Sequence, residues 1–93
     1  MILRLHAFLM YVAGQREFSI KAPATVKELL EKLSAEYGEK FDKWIWSEEE
    51  DGKKLMMGTI IMVNGKHIAH LNGIDTALCD DDVVNIFPPV GGG

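Results

Sequence analysis

The sequence predicts an α+β roll, a mixed sheet of four to five strands with one main helix packed on one face. Three stretches carry that expectation. Thr25 to Gly38 has the start, period and stop of a helix. Thr59 to Val63, followed by Asn64-Gly65, reads as one arm of a hairpin. Val83 to Phe87 reads as a last strand, closed by Pro88 and Pro89. The order strand, strand, helix, strand, strand, strand lets the helix bury its apolar stripe against the sheet.

Taken in order, Ile2 to Phe8 alternates and forms a first strand. Leu9 to Gly14 is apolar and ends in Gly, which suggests a compact or helical turn. Arg16 to Lys21 alternates again, with Phe18 and Ile20 on one face, so the two strands open the domain as a hairpin. Thr25 and Glu28 have capping-box spacing, in which each side chain satisfies a free backbone N–H of the other. Val26, Leu29, Leu30, Leu33 and Tyr37 follow at helical spacing, and Gly38 stops the helix. From Glu39 to Gly58 the pattern is irregular. Phe41, Trp44, Ile45 and Trp46 anchor it, and Ser47 to Gly52 reads as a solvated acidic loop tip. Asn64-Gly65 is the dipeptide of a two-residue type I′ turn, which makes Lys66 to Leu71 the partner strand. Gly73 to Asp82 connects to the last strand through an acidic turn, Asp80 to Asp82.

The runs 59–63 and 83–87 are apolar on both parities, so both faces of those strands are greasy. One helix covers one face only. The uncovered one is expected to dock a partner protein, through Ile61, Val63, Val84 and Ile86, and leaves room for a weak homodimer of the isolated chain. The alternative is that the Trp-bearing loop folds over it.

At 93 residues the chain is expected to be a single domain, 1–93, with a small core and a flexible tail, 88–93. A formal net charge of −4 without a Lys/Arg cluster argues against nucleic-acid binding. The one cysteine, Cys79, is too little for a disulfide framework or a cysteine-built zinc site. The apolar start is interrupted by Arg4 and His6 and is too short to span a bilayer, so no membrane attachment is expected and a cytoplasmic location is inferred. His6, His67 and His70 lack a nearby nucleophile or a ligand spacing. On a strand, His67 and His70 would point to opposite faces. No metal site, phosphate loop or catalytic constellation is expected; carboxylates at 80–82 suit a turn before a strand.

What remains is the end of the sequence. Neither Pro88 nor Pro89 donates to a ladder, and each biases the residue before it toward an extended conformation. After Val90 come Gly91, Gly92 and Gly93, which lack a Cβ and fit where a side chain would collide, as in a narrow channel. Such a run is also what a frayed terminus looks like, but here it follows an apolar clamp, Phe87-Pro88-Pro89-Val90. From Pro88 to Gly93 the arm could reach roughly 20 Å.

Gly73-Ile74-Asp75-Thr76, Leu78, Asp80 to Val84 and above all Ile86-Phe87-Pro88-Pro89-Val90-Gly91-Gly92-Gly93 resemble the MoaD/ThiS family of ubiquitin-like sulfur carriers. Within it the small subunit of molybdopterin synthase is the most similar group. Ala13-Gly14, Ala24-Thr25-Val26 with Leu29-Leu30, and Val63-Asn64-Gly65 extend the likeness over nearly the whole chain. The resemblance implies a β-grasp fold. It implies that Gly93 is adenylated, with ATP, by an adenylyltransferase related to ubiquitin-activating enzymes, and then becomes a thiocarboxylate with sulfur from a donor. Phe87, Pro88, Pro89, Val90, Gly91 and Gly92 would form the tail that enters the partner's channel.

The large subunit of molybdopterin synthase would be the other partner, using that sulfur on the pyranopterin precursor of the molybdenum or tungsten cofactor. The chain itself would bind no cofactor and supply no catalytic side chain, as a non-catalytic small subunit. Thiamine-thiazole carriers lack the Phe-Pro-Pro ending, which ranks that pathway lower. Lys43 to Met57 is longer than in short bacterial members and similar to archaeal ones, some of which modify proteins. Protein modification and tRNA thiolation therefore stay open as alternatives.

Overall fold

The computed structural model describes residues 1–89. Val90, Gly91, Gly92 and Gly93, expected in the partner's channel and as the reactive end, lie outside the described residues. The strands β1 (Ile2–Leu5), β2 (Glu17–Ser19), β5 (Ile60–Val63), β6 (Lys66–His67) and β7 (Val83–Phe87) form one sheet in the order β2-β1-β7-β5-β6. Only β1 and β7 run parallel; the other neighbours are antiparallel. The expected mixed sheet with a helix on one face is therefore present, with β7 as its central strand.

Helix α2 (Val26–Tyr37) supplies that cover. Thr25 Oγ1 accepts from Glu28 N at 3.2 Å, the capping bond its spacing anticipated. Val26, Leu29, Leu30 and Leu33 are buried in one cluster with Leu3, Leu5, Ile61, Val63, Val84 and Ile86. A short helix α1 (Phe8–Ala13) follows β1 and sinks Leu9 into the same cluster, ending at Gly14 in the left-handed conformation. Asn64 and Gly65 both have positive φ, 52° and 84°, as the type I′ turn between β5 and β6 requires.

Three expectations need correction. Ile61, Val63, Val84 and Ile86, expected as the docking face, are 0, 7, 0 and 0% exposed beneath α2. Their pairing, Ile61 opposite Ile86 and Val63 opposite Val84, fixes that parity as the core side. Because side chains alternate, the residues between them take the other face. That open face carries Ile60, Met62, Val83, Asn85 and Phe87, with Ile2 and Arg4 from β1.

The second correction concerns 39–58. It is not irregular: α3 (Glu39–Ile45) is followed by a hairpin of β3 (Trp46–Glu49) and β4 (Gly52–Leu55). Phe41 and Ile45, one helical turn apart, are buried in the core. The acidic run is exposed, but its register sets Glu48 opposite Lys53, a favourable cross-strand pair. Trp44 stacks on Phe8, with ring centroids 4.7 Å apart, and Trp46 Nε1 donates to Ser34 Oγ of α2 at 3.2 Å. Both tryptophans thus fasten this segment beside the helices. They do not fold it over the open sheet face.

Thirdly, β6 stops at His67, where a 3-10 turn, Ile68–His70, begins. His67 Nδ1 accepts from Ala69 N at 3.0 Å, and the His67 and His70 rings meet edge-on at 6.5 Å instead of pointing to opposite faces. No helix among the described residues is long and apolar enough to cross a membrane.

The acidic turn is a structural knot. Asp82 is 8% exposed, and its carboxylate accepts from Asn64 Nδ2 and Cys79 N, both at 2.8 Å. Asn64 Oδ1 in turn accepts from Val83 N at 2.9 Å, tying the β5–β6 turn to the start of β7. The Cys79 amide, then Asn64, hold the Asp82 carboxyl below its ordinary value of 3.8. A lowered carboxyl pKa contributes stability that is fully present above the unfolded value and lost as pH falls through the folded one. Asp82→Ala should cost about 2 kcal/mol at pH 7, the worth of hydrogen bonds to a charged acceptor. In urea denaturation the gap between variant and wild type should close as pH drops below about 4.

Candidate functional site

The site is where β7 leaves the sheet. Arg4, Asn85 and Met62 are register partners across β1, β7 and β5, with Glu17 of β2 beside Arg4 and His67 of β6 beside Met62. Arg4 Nε donates to Glu17 Oε1 at 2.8 Å, an exposed pair of small energetic weight. One step toward the end of β7, Ile60 stands opposite Phe87. The open face is therefore an apolar strip, Ile2, Val83, Met62, Ile60 and Phe87, crossed by one polar row.

Phe87 is covered on one face of its ring by a residue that the sequence did not single out as functional. The His6 imidazole stacks on the Phe87 ring at 4.0 Å with 10° between planes. Its Nε2 lies 2.8 Å from Asn85 Oδ1, so the tautomer with hydrogen on Nε2 donates there. The His6 backbone N–H also donates to Ile86 O at 3.1 Å, adding one rung to the β1–β7 ladder. Ala7 then turns the chain away into α1 with φ 54° and ψ −132°, unusual for a residue with a side chain.

Past Phe87 the prolines continue the alternation. Pro88 is buried and Pro89 half-buried, so the body holds the chain for two residues beyond where the tail was expected to start. Pro89 sits against Gly58. A Cβ on Gly58 would lie 3.4 Å from Pro89 Cβ, and Gly58 has φ 93°. That distance is ordinary contact; it is the backbone angle that calls for glycine there. Gly91, Gly92 and Gly93 lie outside the described residues.

Other titratable groups do not compete for the role. Cys79 is exposed, and its bond to the Asp82 carboxylate raises the thiol pKa, the reverse of what a nucleophilic cysteine needs. Asp80 Oδ1 accepts from Ala22 N at 2.8 Å, so this carboxylate, like that of Asp82, serves the backbone. Among the described residues no group of three or more His, Cys, Asp or Glu is placed to hold a metal ion.

The sequence matches the model of the ThiS family over residues 3–93. The chain belongs to the ThiS family. Its fold is the ubiquitin-like β-grasp, and the family is one of ubiquitin-like sulfur carriers and modifiers. It is 38% identical over 93 residues to small archaeal modifier protein 3 of Haloferax volcanii, covering 98% of this chain and 96% of that protein. Small archaeal modifier protein 1 of Methanosarcina acetivorans superposes with a TM-score of 0.81 at 31% identity, over 99% of this chain and 94% of that one. The Pyrococcus furiosus protein assigned to molybdopterin converting factor subunit 1 superposes with a TM-score of 0.69 at 32% identity, over 96% and 95%.

Within this ThiS-family chain, the sequence reading named Phe87, Pro88 and Pro89 and did not name His6, Asn85 and Gly58, which the structure sets against them. His6 lies 81 positions before Phe87, and only the parallel pairing of β1 with β7 brings the two together. The signal for Gly58 was a glycine directly before a β-branched strand, readable only once the opposing proline is known. Gly58→Ala should destabilise the fold by about 1 kcal/mol, because a side chain at φ 93° is strained. Thermal denaturation checks this.

Proposed function

We propose that the chain carries sulfur on its Gly93 carboxyl group, for the building of the dithiolene of molybdopterin. The supporting observation is that the central strand β7 runs from an open apolar face straight into Pro88-Pro89-Val90-Gly91-Gly92-Gly93. A carboxylate does not react with sulfide at neutral pH until its oxygen becomes a leaving group. In the proposed cycle a carboxylate oxygen attacks the α-phosphorus of ATP and expels pyrophosphate, giving an acyl-adenylate. Hydrosulfide then attacks the carbonyl carbon and expels AMP, leaving a thiocarboxylate. That sulfur adds to a carbonyl-type carbon of the pyranopterin precursor, whose oxygen takes the π electron pair and, once protonated, leaves as water; a second water then cleaves the thioester, returning the carboxylate and leaving the sulfur on the precursor. Catalytic side chains for these steps would come from the partners, an adenylyltransferase related to ubiquitin-activating enzymes and the large synthase subunit.

The open face suits docking better than the residues first expected to do it. Ile60, Met62, Val83 and Phe87 are partly exposed, whereas the residues between them are committed to the core. A second reading has its own support in the 38% identity to small archaeal modifier protein 3. There the activated carboxyl would meet a lysine amine, with AMP or a thiol leaving, and form an isopeptide bond. Linkage of Gly93 to lysines, read by mass spectrometry of protein from the native host, separates the two outcomes. Sulfur in place of one oxygen in the intact mass supports the carrier reading.

Deleting Gly93, or adding one residue after it, should abolish sulfur transfer and leave the urea midpoint unchanged. Normal cofactor synthesis with the truncated chain would refute the proposal. Met62→Glu should slow thiocarboxylate formation by about tenfold or more, with little loss of stability, as expected for a charge placed in a desolvated contact. Ile61→Ala, one position away, should instead lose about 3 kcal/mol of stability through a core cavity.

A further inference from the structure

We propose that His6 is a positioning residue, which clamps the root of the glycine tail at Phe87 and so fixes the point from which the tail departs toward a partner. This rests on the carboxyl-activation reading above. The inference starts from how the two sides of β7 differ near its end. On the β5 side the root is held by the Ile60–Phe87 pair and by Pro89 against Gly58. On the β1 side the strand ends at Leu5, and the ladder gains one last bond, His6 N to Ile86 O at 3.1 Å. Ala7 then carries the backbone away. Neither Pro88 nor Pro89 has an N–H with which to prolong the pairing. The His6 ring takes over where the backbone stops, lying flat on Phe87 at 4.0 Å.

The imidazole is itself held. Its Nε2–H to Asn85 Oδ1 at 2.8 Å sets its rotation, and Asn85 lies two residues before Phe87 on the same face of the same strand. A ring fixed at one edge by a hydrogen bond and stacked on its flat side leaves Phe87 little freedom to swing. Stacked aromatic pairs of this kind are worth about 0.5–1.5 kcal/mol beyond the area they bury. That is a small contribution to folding and a large one to the angular freedom of a single side chain.

Freedom at the root matters because of reach. Val90 to Gly93 span at most about 14 Å when fully extended. A shift of the root by around an ångström changes by as much the depth that such a segment can reach in a channel, enough to cost up to about a hundredfold in a step that depends on alignment. Gly91, Gly92 and Gly93 have no side chains with which to make up the difference. The point of departure is set by the last part of the chain that the body holds.

Three carriers, wild type, His6→Ala and His6→Phe, are compared as substrates of the host adenylyltransferase with ATP and sulfide, following thiocarboxylate formation. His6→Ala should lower kcat by about tenfold while KM stays within about twofold, since alignment is lost and the docking face is kept. His6→Phe restores the flat contact without the bond to Asn85 and should recover part of kcat. An unchanged kcat in His6→Ala, a loss confined to KM, or no recovery in His6→Phe each overturns the clamp. Failure of the wild type to be activated refutes the carboxyl-activation reading instead. The clamp is then judged by NMR relaxation of the Phe87 ring, which should loosen in His6→Ala and tighten again in His6→Phe. Equal mobility in all three carriers would overturn it. Urea midpoints of the three chains separate any kcat loss from partial unfolding.

Discussion

The structure depends on the parallel pairing of the first strand with the last. Leu3 beside Val84 and Leu5 beside Ile86 place the innermost side chains of the core on two strands about 80 residues apart in sequence. This pairing makes β7 central, with β1 on one side and β5 on the other. Everything added between them, the α2 cover, the β5–β6 hairpin and the Asp82 knot, secures that central strand. A central strand is the stiffest place in a sheet, because both of its edges are already bonded.

The knot at the other end of β7 matters for the same reason. Asn64 and Asp82 satisfy each other and the amides of Cys79 and Val83, so the start of the strand is fixed in position as well as in register. A slip of one residue would turn Val84 and Ile86 outward and Asn85 into the core, where its amide would lack partners. The hydrophobic pattern could not prevent that slip, since both parities of β7 contain apolar residues. The polar residues Asn64, Asp82 and Asn85 do.

That ambiguity marks the boundary of what was legible. The helix 26–37 was readable because a capping box, an apolar stripe and a terminal glycine agreed, and the Asn64-Gly65 turn because its dipeptide demands positive φ twice. The end of the last strand was readable because neither Pro88 nor Pro89 can donate to a ladder. Which side of the sheet α2 would cover was not readable: Ile60-Ile61-Met62-Val63 offers no polar parity to exclude. The 43–57 segment hid its hairpin because Glu48, Glu49 and Glu50 read as a solvated run until Lys53 and Lys54 are seen across a turn. His6 was invisible for a deeper reason. Its partner is set by topology, and no local window of sequence contains both rings.

The two prolines resolve a conflict that the architecture creates. A central strand bonded on both sides would normally keep pairing as long as its neighbours supply free groups, and the carboxyl end would be drawn into the ladder. β5 has residues to offer there: Thr59 and Gly58 stand opposite Pro88 and Pro89 by continuation of the register. Pro88 and Pro89 refuse the pairing because they have no N–H, while their rings still pack, one buried and one against Gly58. Packing without hydrogen bonding holds the root in place and ends the sheet at a defined residue. A pair of glycines at 88 and 89 would keep two N–H groups able to prolong the ladder, and would bring far more backbone freedom to the root. Order at the root is therefore a separate requirement from the end of the ladder, and the same two prolines meet both.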